Sequence, residues 1–542
     1  MEEEQMRKRK GIALFAAVTL FAAAAQTVIR AEETTEPAQT EAAALAEAAD
    51  QTEQSETEAV SEEDLTGQDD GAQESAAKDN IVTTKHTAVI QGKELSYTAQ
   101  AGTMVLETGG STCEIFFTSY TLDDVEDPDD RPVIFAFNGG PGSCSMYLHL
   151  GCFGPRRVDV DENGNLKSMP AKLVDNENSL LDRADLVIID AVGTGYSRSL
   201  EDSDDPFIGY DNDNRTMGDF IRQFVNRNSL WGRRKYIAGE SYGTPRAVGI
   251  CKYLADTWSM NLNGLMLISS INDFSAIVFV DGTEIPYATF IPTYAADAWY
   301  HKALSQEYLD MSLEDYLEEV RTFVKDEYIP ALFQGSRNSE EEEEALAEKY
   351  AGYTGLKKEY VLSSNLRVAL DDFLTELLKD QKLAVGRMDG RIAGPVTSGD
   401  MDDGESDPSS TAFNLAFGNA FNYYVTSELG FRTDRPYTPD NLDVNGAWTF
   451  EDEITSWGGF LAQEQIIHDC ISQNPFLKIW VLCGYYDGAT PFYSAEYTFS
   501  HVFLNDDSQD NLSFTYYPCG HMIYMEQNSF DQFRKDAEAW LE

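Results

Sequence analysis

Positive charge is what this chain has least of. Against 93 Asp and Glu stand 40 Lys and Arg, a net charge of −53 over 542 residues. Binding nucleic-acid phosphates takes clustered Lys and Arg, so this balance excludes a nucleic-acid partner. Cysteine is also scarce. The seven residues, none before Cys113, include no Cys-x-x-Cys and no Cys/His group at zinc spacing, so a structural metal is not expected. Long hydrophobic runs are missing too. The apolar run from Gly11 to Ala25 has 15 residues, short of the about 20 that span a bilayer. It follows Arg7-Lys8-Arg9-Lys10 and ends with Ala23 and Ala25 at signal-peptidase spacing, which reads as a secretory signal peptide over residues 1–31. The expectation is a secreted chain with no membrane span once mature, tethered only if the signal is not cleaved.

Residues 32–80 lack aromatic side chains altogether and carry 16 acidic groups, from Glu32 to Asp79, against Lys78 alone. Such a stretch buries too little apolar surface to offset its ordering entropy, and a disordered acidic linker is expected. The whole chain is 42% hydrophobic and 12% aromatic, which leaves residues 81–542 ample material for a core.

From Ile81 onward the pattern turns to short alternating runs, His86–Ile90, Met104–Glu107 and Glu114–Tyr120, that predict antiparallel strands leading into a sheet. Six continuous apolar runs follow at wider spacing: Pro132–Phe137, Asp185–Asp190, Lys235–Ala238, Gly264–Ser269, Leu477–Cys483 and Leu512–Tyr517. Runs buried on both faces and separated by helix-length segments predict an α/β fold, a mostly parallel central sheet flanked by helices. Between the fourth and fifth runs lie about 200 residues with helical spacing, including Ser305–Asp326 and Asn365–Leu383. They are too many for one crossover and predict a helical cap insertion over approximately residues 275–420. Glu340–Glu344 reads as a solvated helix start, and Arg387–Arg391 as an exposed ion-paired turn. No internal repeat is present.

The strongest chemical signal is Gly239-Glu240-Ser241-Tyr242-Gly243, between an apolar strand and a helix predicted over Arg246–Trp258. Glycines two before and two after a serine permit a turn sharp enough to push its hydroxyl out of the strand end, and the helix N-terminus favours negative charge there. A serine hydroxyl needs a base. Of six histidines, His86, His301, His468 and His501 read as surface or packed residues, and His149 lies near a glycine-rich loop. His521, in Cys519-Gly520-His521-Met522 just past the last strand, stands where the base of a hydrolase sheet belongs. Asp487 follows the preceding strand in Gly484-Tyr485-Tyr486-Asp487. The chain order Ser241, Asp487, His521 is that of the α/β-hydrolase arrangement.

Asn138-Gly139-Gly140-Pro141-Gly142-Ser143, directly after the first parallel strand, resembles the N-G-G-P-G-C/S loop of the serine carboxypeptidases. Three further blocks agree: Gly239–Gly243, Asp190-Ala191-Val192-Gly193-Thr194-Gly195-Tyr196-Ser197, and Gly520-His521-Met522; Asn176–Leu180 also resembles the family's N-x-x-S-[WL] segment. The resemblance implies an α/β-hydrolase fold and cleavage of peptide substrates by Ser241, Asp487 and His521, without a cofactor or metal. It implies an oxyanion hole from the N–H groups of Gly140 and Tyr242, with Asn138, Gly139 and Glu240 on the substrate's terminal carboxylate. It makes Asp190–Gly195 a structural support. Two recognition positions depart from the family: Cys152 stands where a second Glu is expected and Ala136 where a Trp is expected. His149, Arg156 and Arg157 are candidates for compensating charge. The Asp487 block lacks the family's following Cys-Asn, as in a distant, bacterial-like branch. Cys483 and Cys519, at ends of neighbouring strands, either pair or remain buried thiols. An acyltransferase or esterase on the same machinery, and a non-catalytic surface binding protein on a hydrolase scaffold, are the alternatives.

Overall fold

The computed structural model describes residues 77–161, 164–395, 407–450 and 459–542. The expected signal peptide and all but the last residues of the acidic linker lie outside them.

Fourteen strands form among the described residues. In chain order they are β1 (Asn80–Ile90), β2 (Lys93–Thr108), β3 (Ser111–Leu122), β4 (Val133–Phe137), β5 (Arg156–Val158), β6 (Leu173–Asp175) and β7 (Asp185–Ile189). They continue with β8 (Arg198–Ser199), β9 (Lys235–Glu240), β10 (Gly264–Ile268), β11 (Leu383–Val385), β12 (Ala393–Pro395), β13 (Lys478–Gly484) and β14 (Leu512–Tyr517). The main sheet runs β1-β2-β3-β7-β4-β9-β10-β13-β14, with β8 on β3; β5-β6 and β11-β12 are separate ribbons. Neighbours from β7 to β14 are parallel, and β1, β2 and β3 extend the sheet antiparallel. The six parallel strands are the six apolar runs. The three alternating runs expand into strands of 11, 16 and 12 residues. Their outer parts are polar enough to pass for loop.

Alternation within each parallel strand divides its side chains between two cores. Val133, Phe135 and Phe137 face one, and Ile134 and Ala136 the other; Ile479 and Val481 are likewise set against Trp480 and Leu482. Helices Tyr210–Arg227 and Gly243–Trp258 cover the first face through Phe220, Phe224, Val248 and Leu254. Helices Pro408–Tyr423 and Gln527–Leu541 cover the second through Phe417, Phe421, Phe530 and Phe533.

The strand order reverses at β4. The chain passes from β4 to β7 on one side and then returns to β9 on the other. The carboxyl ends of β4 and β9 are therefore the point of reversal, the place where ligands of open α/β sheets bind.

Between β10 and β13 the chain adds a run of helices, including Ile291–Tyr300, Leu313–Phe323, Glu340–Thr354 and Leu370–Glu376. Glu340–Glu344 begins a helix as expected, with Ser339 and Glu342 forming a capping box. The helix expected over Asn365–Leu383 is shorter. Asn365 and Leu366 take positive φ of 52° and 65°, so helix begins only at Leu370 and ends at Glu376. The Arg387–Arg391 turn has the expected ion pair, Asp389 to Arg391 at 2.7 Å. It is not exposed: Asp389 and Gly390 are buried. The Gly488 N–H donates to Arg387 O at 3.0 Å, the His521 N–H to Met388 O at 2.7 Å and the Gly390 N–H to Tyr486 O at 2.9 Å. The insertion thus braces the loops after β13 and β14.

Candidate active site

At the end of β9 the chain reverses within two residues and starts the helix Gly243–Trp258. A Cβ at Gly239 would overlap the Gly243 carbonyl, and one at Gly139 would come within 2.6 Å of the Gly243 nitrogen. Only glycine lets the two loops touch there. Ser241 takes φ 59°, the left-handed region that side-chain-bearing residues avoid, and such strain persists where surrounding contacts impose it. Its N–H donates to Ile268 O at 3.0 Å, which ties the turn to β10. Ser241 is partly exposed in otherwise buried surroundings.

Asp487 and His521 leave the adjacent strands β13 and β14. Asp487 is fully buried, and its Oδ2 bonds His521 Nδ1 at 2.8 Å. Its Oδ1 accepts the N–H groups of Ala489 at 2.8 Å and Thr490 at 2.9 Å, and the Thr490 hydroxyl donates to Oδ2 at 2.7 Å. Burial opposes a charged imidazole. The Asp487 carboxylate more than offsets it, with help from Glu240, and His521 lies above the ordinary histidine value. Among the described residues no hydrogen bond joins Ser241 Oγ to His521 Nε2. Contacts of this kind commonly tighten only when substrate is bound.

The loop after β4 lies against the elbow. Asn138 Nδ2 donates to Glu240 Oε1 at 2.7 Å, and its Oδ1 accepts the Leu148 N–H at 2.9 Å. Glu240 is 2% exposed, and its other oxygen, Oε2, has no hydrogen-bond partner among the described residues. Burial pushes its carboxyl up to about 7, against the opposing pull of His521. Gly140 takes φ 101° in the same loop, and Tyr242 follows the serine with its hydroxyl accepting from Trp448 Nε1 at 3.0 Å. The Asp190 loop supports this floor. Asp190 Oδ1 accepts the Ser145 N–H at 2.7 Å and its Oδ2 the Tyr437 hydroxyl at 3.0 Å.

Several residues here carried no sequence signal. Arg246, 1% exposed, pairs with Asp213 at 2.6 Å and donates to Asn138 O at 2.6 Å. It joins the two helices of the first face to the loop. Thr490, three residues past Asp487, does carry one, a hydroxyl at capping distance in the chain. Tyr524 lies three residues past His521 and Met388 inside the Arg387–Arg391 turn, but no local pattern marks either as a partner of the site.

The candidates for compensating charge go elsewhere. His149 is 1% exposed, bonds the Tyr120 hydroxyl at 2.6 Å, and is drawn down to about 3 by burial, so it is neutral. Arg156 pairs with Asp175 and Glu428, and Arg157 with Gln527 and the Tyr524 carbonyl. His86, His301, His468 and His501 bond Thr84, Gly390, Val502 and Tyr497. Cys483 and Cys519 do not pair; all seven thiols are free and buried. Among the described residues no three His, Cys, Asp or Glu converge as metal ligands, and no helix is long and apolar enough to cross a membrane.

Comparison with known proteins returns the serine carboxypeptidase family, whose model matches residues 92–516. The pheromone-processing carboxypeptidase of Saccharomyces cerevisiae is 40% identical over 92 residues, 17% of this chain and 11% of that protein. Serine carboxypeptidase-like 29 of Arabidopsis thaliana is 32% identical over 166 residues, 28% of this chain and 32% of that protein. The matched stretches thus span a third or less of these relatives. A crystal structure of the yeast prohormone-processing carboxypeptidase aligns with 81% of this chain and 91% of its own at 17% identity and a TM-score of 0.49. The fold is that of the α/β-hydrolases, a mostly parallel sheet between helices, and by the match over residues 92–516 the chain belongs to the serine carboxypeptidase family.

Proposed function

We propose that this protein is a serine peptidase that shortens peptides from the C-terminus through an acyl-enzyme on Ser241. The observation that carries this reading is the buried Asp487–His521 hydrogen bond at the sheet end that also bears the Ser241 elbow. Neutral His521 takes the Ser241 proton as Oγ attacks the scissile carbonyl, and Asp487 orients the ring and stabilises the imidazolium. The N–H groups of Gly140 and Tyr242 receive the oxyanion. Removing one such donor typically costs on the order of a hundredfold to a thousandfold in turnover. His521 then protonates the leaving amine, and water repeats the sequence on the ester. Asn138, Gly139 and Glu240 bind the terminal carboxylate, and Glu240, drawn up to about 7, is protonated at mildly acidic pH and does not repel it.

Cys152 in place of a second carboxyl favours a second reading, an esterase or acyltransferase using the same serine. The test is cleavage of a blocked dipeptide, its C-terminal amide and a simple ester near pH 5 by the full chain and by Ser241→Ala. Loss of the serine is expected to lower turnover by roughly 10⁴ to 10⁶. Equal rates from both proteins would leave only a binding role. Equal use of free acid and amide would remove the C-terminal preference while keeping the hydrolase. Export is part of the proposal, supported by the basic and apolar segments of residues 1–31; a chain retained in the cytoplasm of its own cells would contradict it.

A further inference from the structure

Tyr524 stands three residues past His521, 1% exposed, in the short turn Ile523–Met525. Its hydroxyl donates to Glu240 Oε1 at 3.2 Å, the same oxygen that accepts from Asn138 Nδ2 at 2.7 Å. Two donors therefore occupy one carboxyl oxygen while Oε2, also buried, has no partner among the described residues. The tyrosine ring lies directly over Gly151, where a Cβ would overlap ring carbons Cε2 and Cδ2. The next residue, Cys152, is 2% exposed, and burial keeps its thiol protonated. Gly151 thus makes room for a large ring whose hydroxyl reaches Glu240, with Cys152 nearby.

We propose that Tyr524 is the positioning residue of the carboxylate subsite: by holding Glu240 Oε1 it leaves Oε2 to present a proton to the terminal carboxylate, replacing a second acidic side chain. This rests on the C-terminal reading above. The titratable groups around Glu240 are His521 and Tyr524 from the loop after β14, Asp487 from the loop after β13, and Tyr147 and Cys152 from the segment after β4. Burial raises the Glu240 carboxyl, and the Tyr524 hydrogen bond lowers it. As pH rises through that titration Oε2 loses its proton and faces a carboxylate with like charge, so KM for free-acid substrates must rise. Removing the hydroxyl must move this rise to higher pH, because the ionised form has lost a donor.

The experiment measures KM and kcat from pH 5 to 8 for a blocked dipeptide and its C-terminal amide. The proteins are the full chain, Tyr524→Phe, Gly151→Ala and Glu240→Gln. His521 titrates with both substrates, so the acid-to-amide ratio isolates Glu240. Tyr524→Phe is expected to raise KM for the acid by about tenfold at pH 5, to change kcat by less than about threefold, and to shift the KM rise upward in pH. Gly151→Ala, which displaces the ring and keeps the hydroxyl, should reproduce that pattern. Glu240→Gln carries an amide donor at every pH and should flatten the acid-to-amide ratio. If Tyr524→Phe keeps the wild-type KM and pH midpoint while Glu240→Gln flattens the ratio, the tyrosine proposal is overturned and the Glu240 subsite stands. If Glu240→Gln retains the pH dependence, the Glu240 subsite itself falls.

Discussion

Glu240 and His521 sit close enough to share one charge balance. The Glu240 carboxylate favours the imidazolium, and the imidazolium favours the carboxylate. The general base of the proposed mechanism must be neutral, so a neighbouring negative charge confines activity to higher pH. Glu240→Gln removes that charge and lets His521 lose its proton at lower pH. For a C-terminal amide, which has no carboxylate to recognise, kcat/KM near pH 7 should therefore rise by about two- to fivefold and the upper part of its acid limb move downward, while at pH 5.5, where Glu240 is already protonated, the two proteins should agree. A pH–rate profile checks this, and an acid limb that stays in place or moves upward would contradict it. Thr490 matters at the same scale. Its hydroxyl and N–H give Asp487 two of its hydrogen bonds and fix the carboxylate plane that meets His521.

Among elements, the telling contact is the one Arg246 makes between the helix Tyr210–Arg227, the helix Gly243–Trp258 and the loop after β4. Its partner Asp213 is 3% exposed, and burial raises that carboxyl while Arg246 opposes the rise. Breaking one side of a buried pair leaves an uncompensated charge, and Arg246→Met should destabilise the fold by about 3–5 kcal/mol. Replacing both, Arg246→Met with Asp213→Leu, should recover most of that. Urea unfolding of the two variants decides it; equal losses would mean that packing rather than charge dominates. How far sequence reads into structure follows from such contacts. The six parallel strands were legible because burial on both faces leaves continuous apolar runs, and Leu512–Tyr517 matched residue for residue. The chain order of Ser241, Asp487 and His521 pointed to three positions that the sheet gathers at one end. The long antiparallel strands were only partly legible, because their outer residues are polar. Arg246 with Asp213 and Tyr524 with Gly151 were not legible at all. Their partners are separated by tens to hundreds of residues, and nothing local marks them.

For the molecule as a whole, buried carboxyls set the response to pH. Burial raises Glu240 to about 7 and Asp190 to about 6, and it also raises Asp213, Asp297, Asp372 and Asp440. Unfolded Asp and Glu titrate near 3.9 and 4.3. Between those values and about 7 the folded chain holds protons that the unfolded chain has released, so stability rises as pH falls through this window. His521, raised in the folded state, acts in the same direction, and the repulsion within a chain of net charge −53 also declines; His149, His86 and His301, which burial holds below the ordinary value, act in the opposite direction but are outnumbered by the raised carboxyls. Below about 4.5 the trend reverses, because Glu114, Asp123 and Glu526 lie below their ordinary values and lose ion pairs or hydrogen bonds on protonation. Thermal unfolding should therefore occur several degrees higher at pH 5.5 than at pH 7.5, and calorimetry at the two values checks it. A higher Tm at pH 7.5 would show that the exposed carboxylates, and not the buried ones, control stability.

The strand order carries a consequence of a different kind. β10 and β13 are hydrogen-bonded neighbours although about 200 residues separate them in the chain. Closing a loop costs entropy only as the logarithm of its length, about 0.6 kcal/mol for each doubling. An excursion of that size is therefore only about 1.2 kcal/mol harder to close than one a quarter as long, so chain length puts almost no thermodynamic brake on what grows between these strands. The sheet can keep its register while the inserted segment is lengthened or shortened over evolutionary time, provided the Arg387–Arg391 turn, whose backbone holds the Gly488 and His521 N–H groups, is kept. Novelty in such a chain accumulates cheaply wherever that one bracing turn is spared.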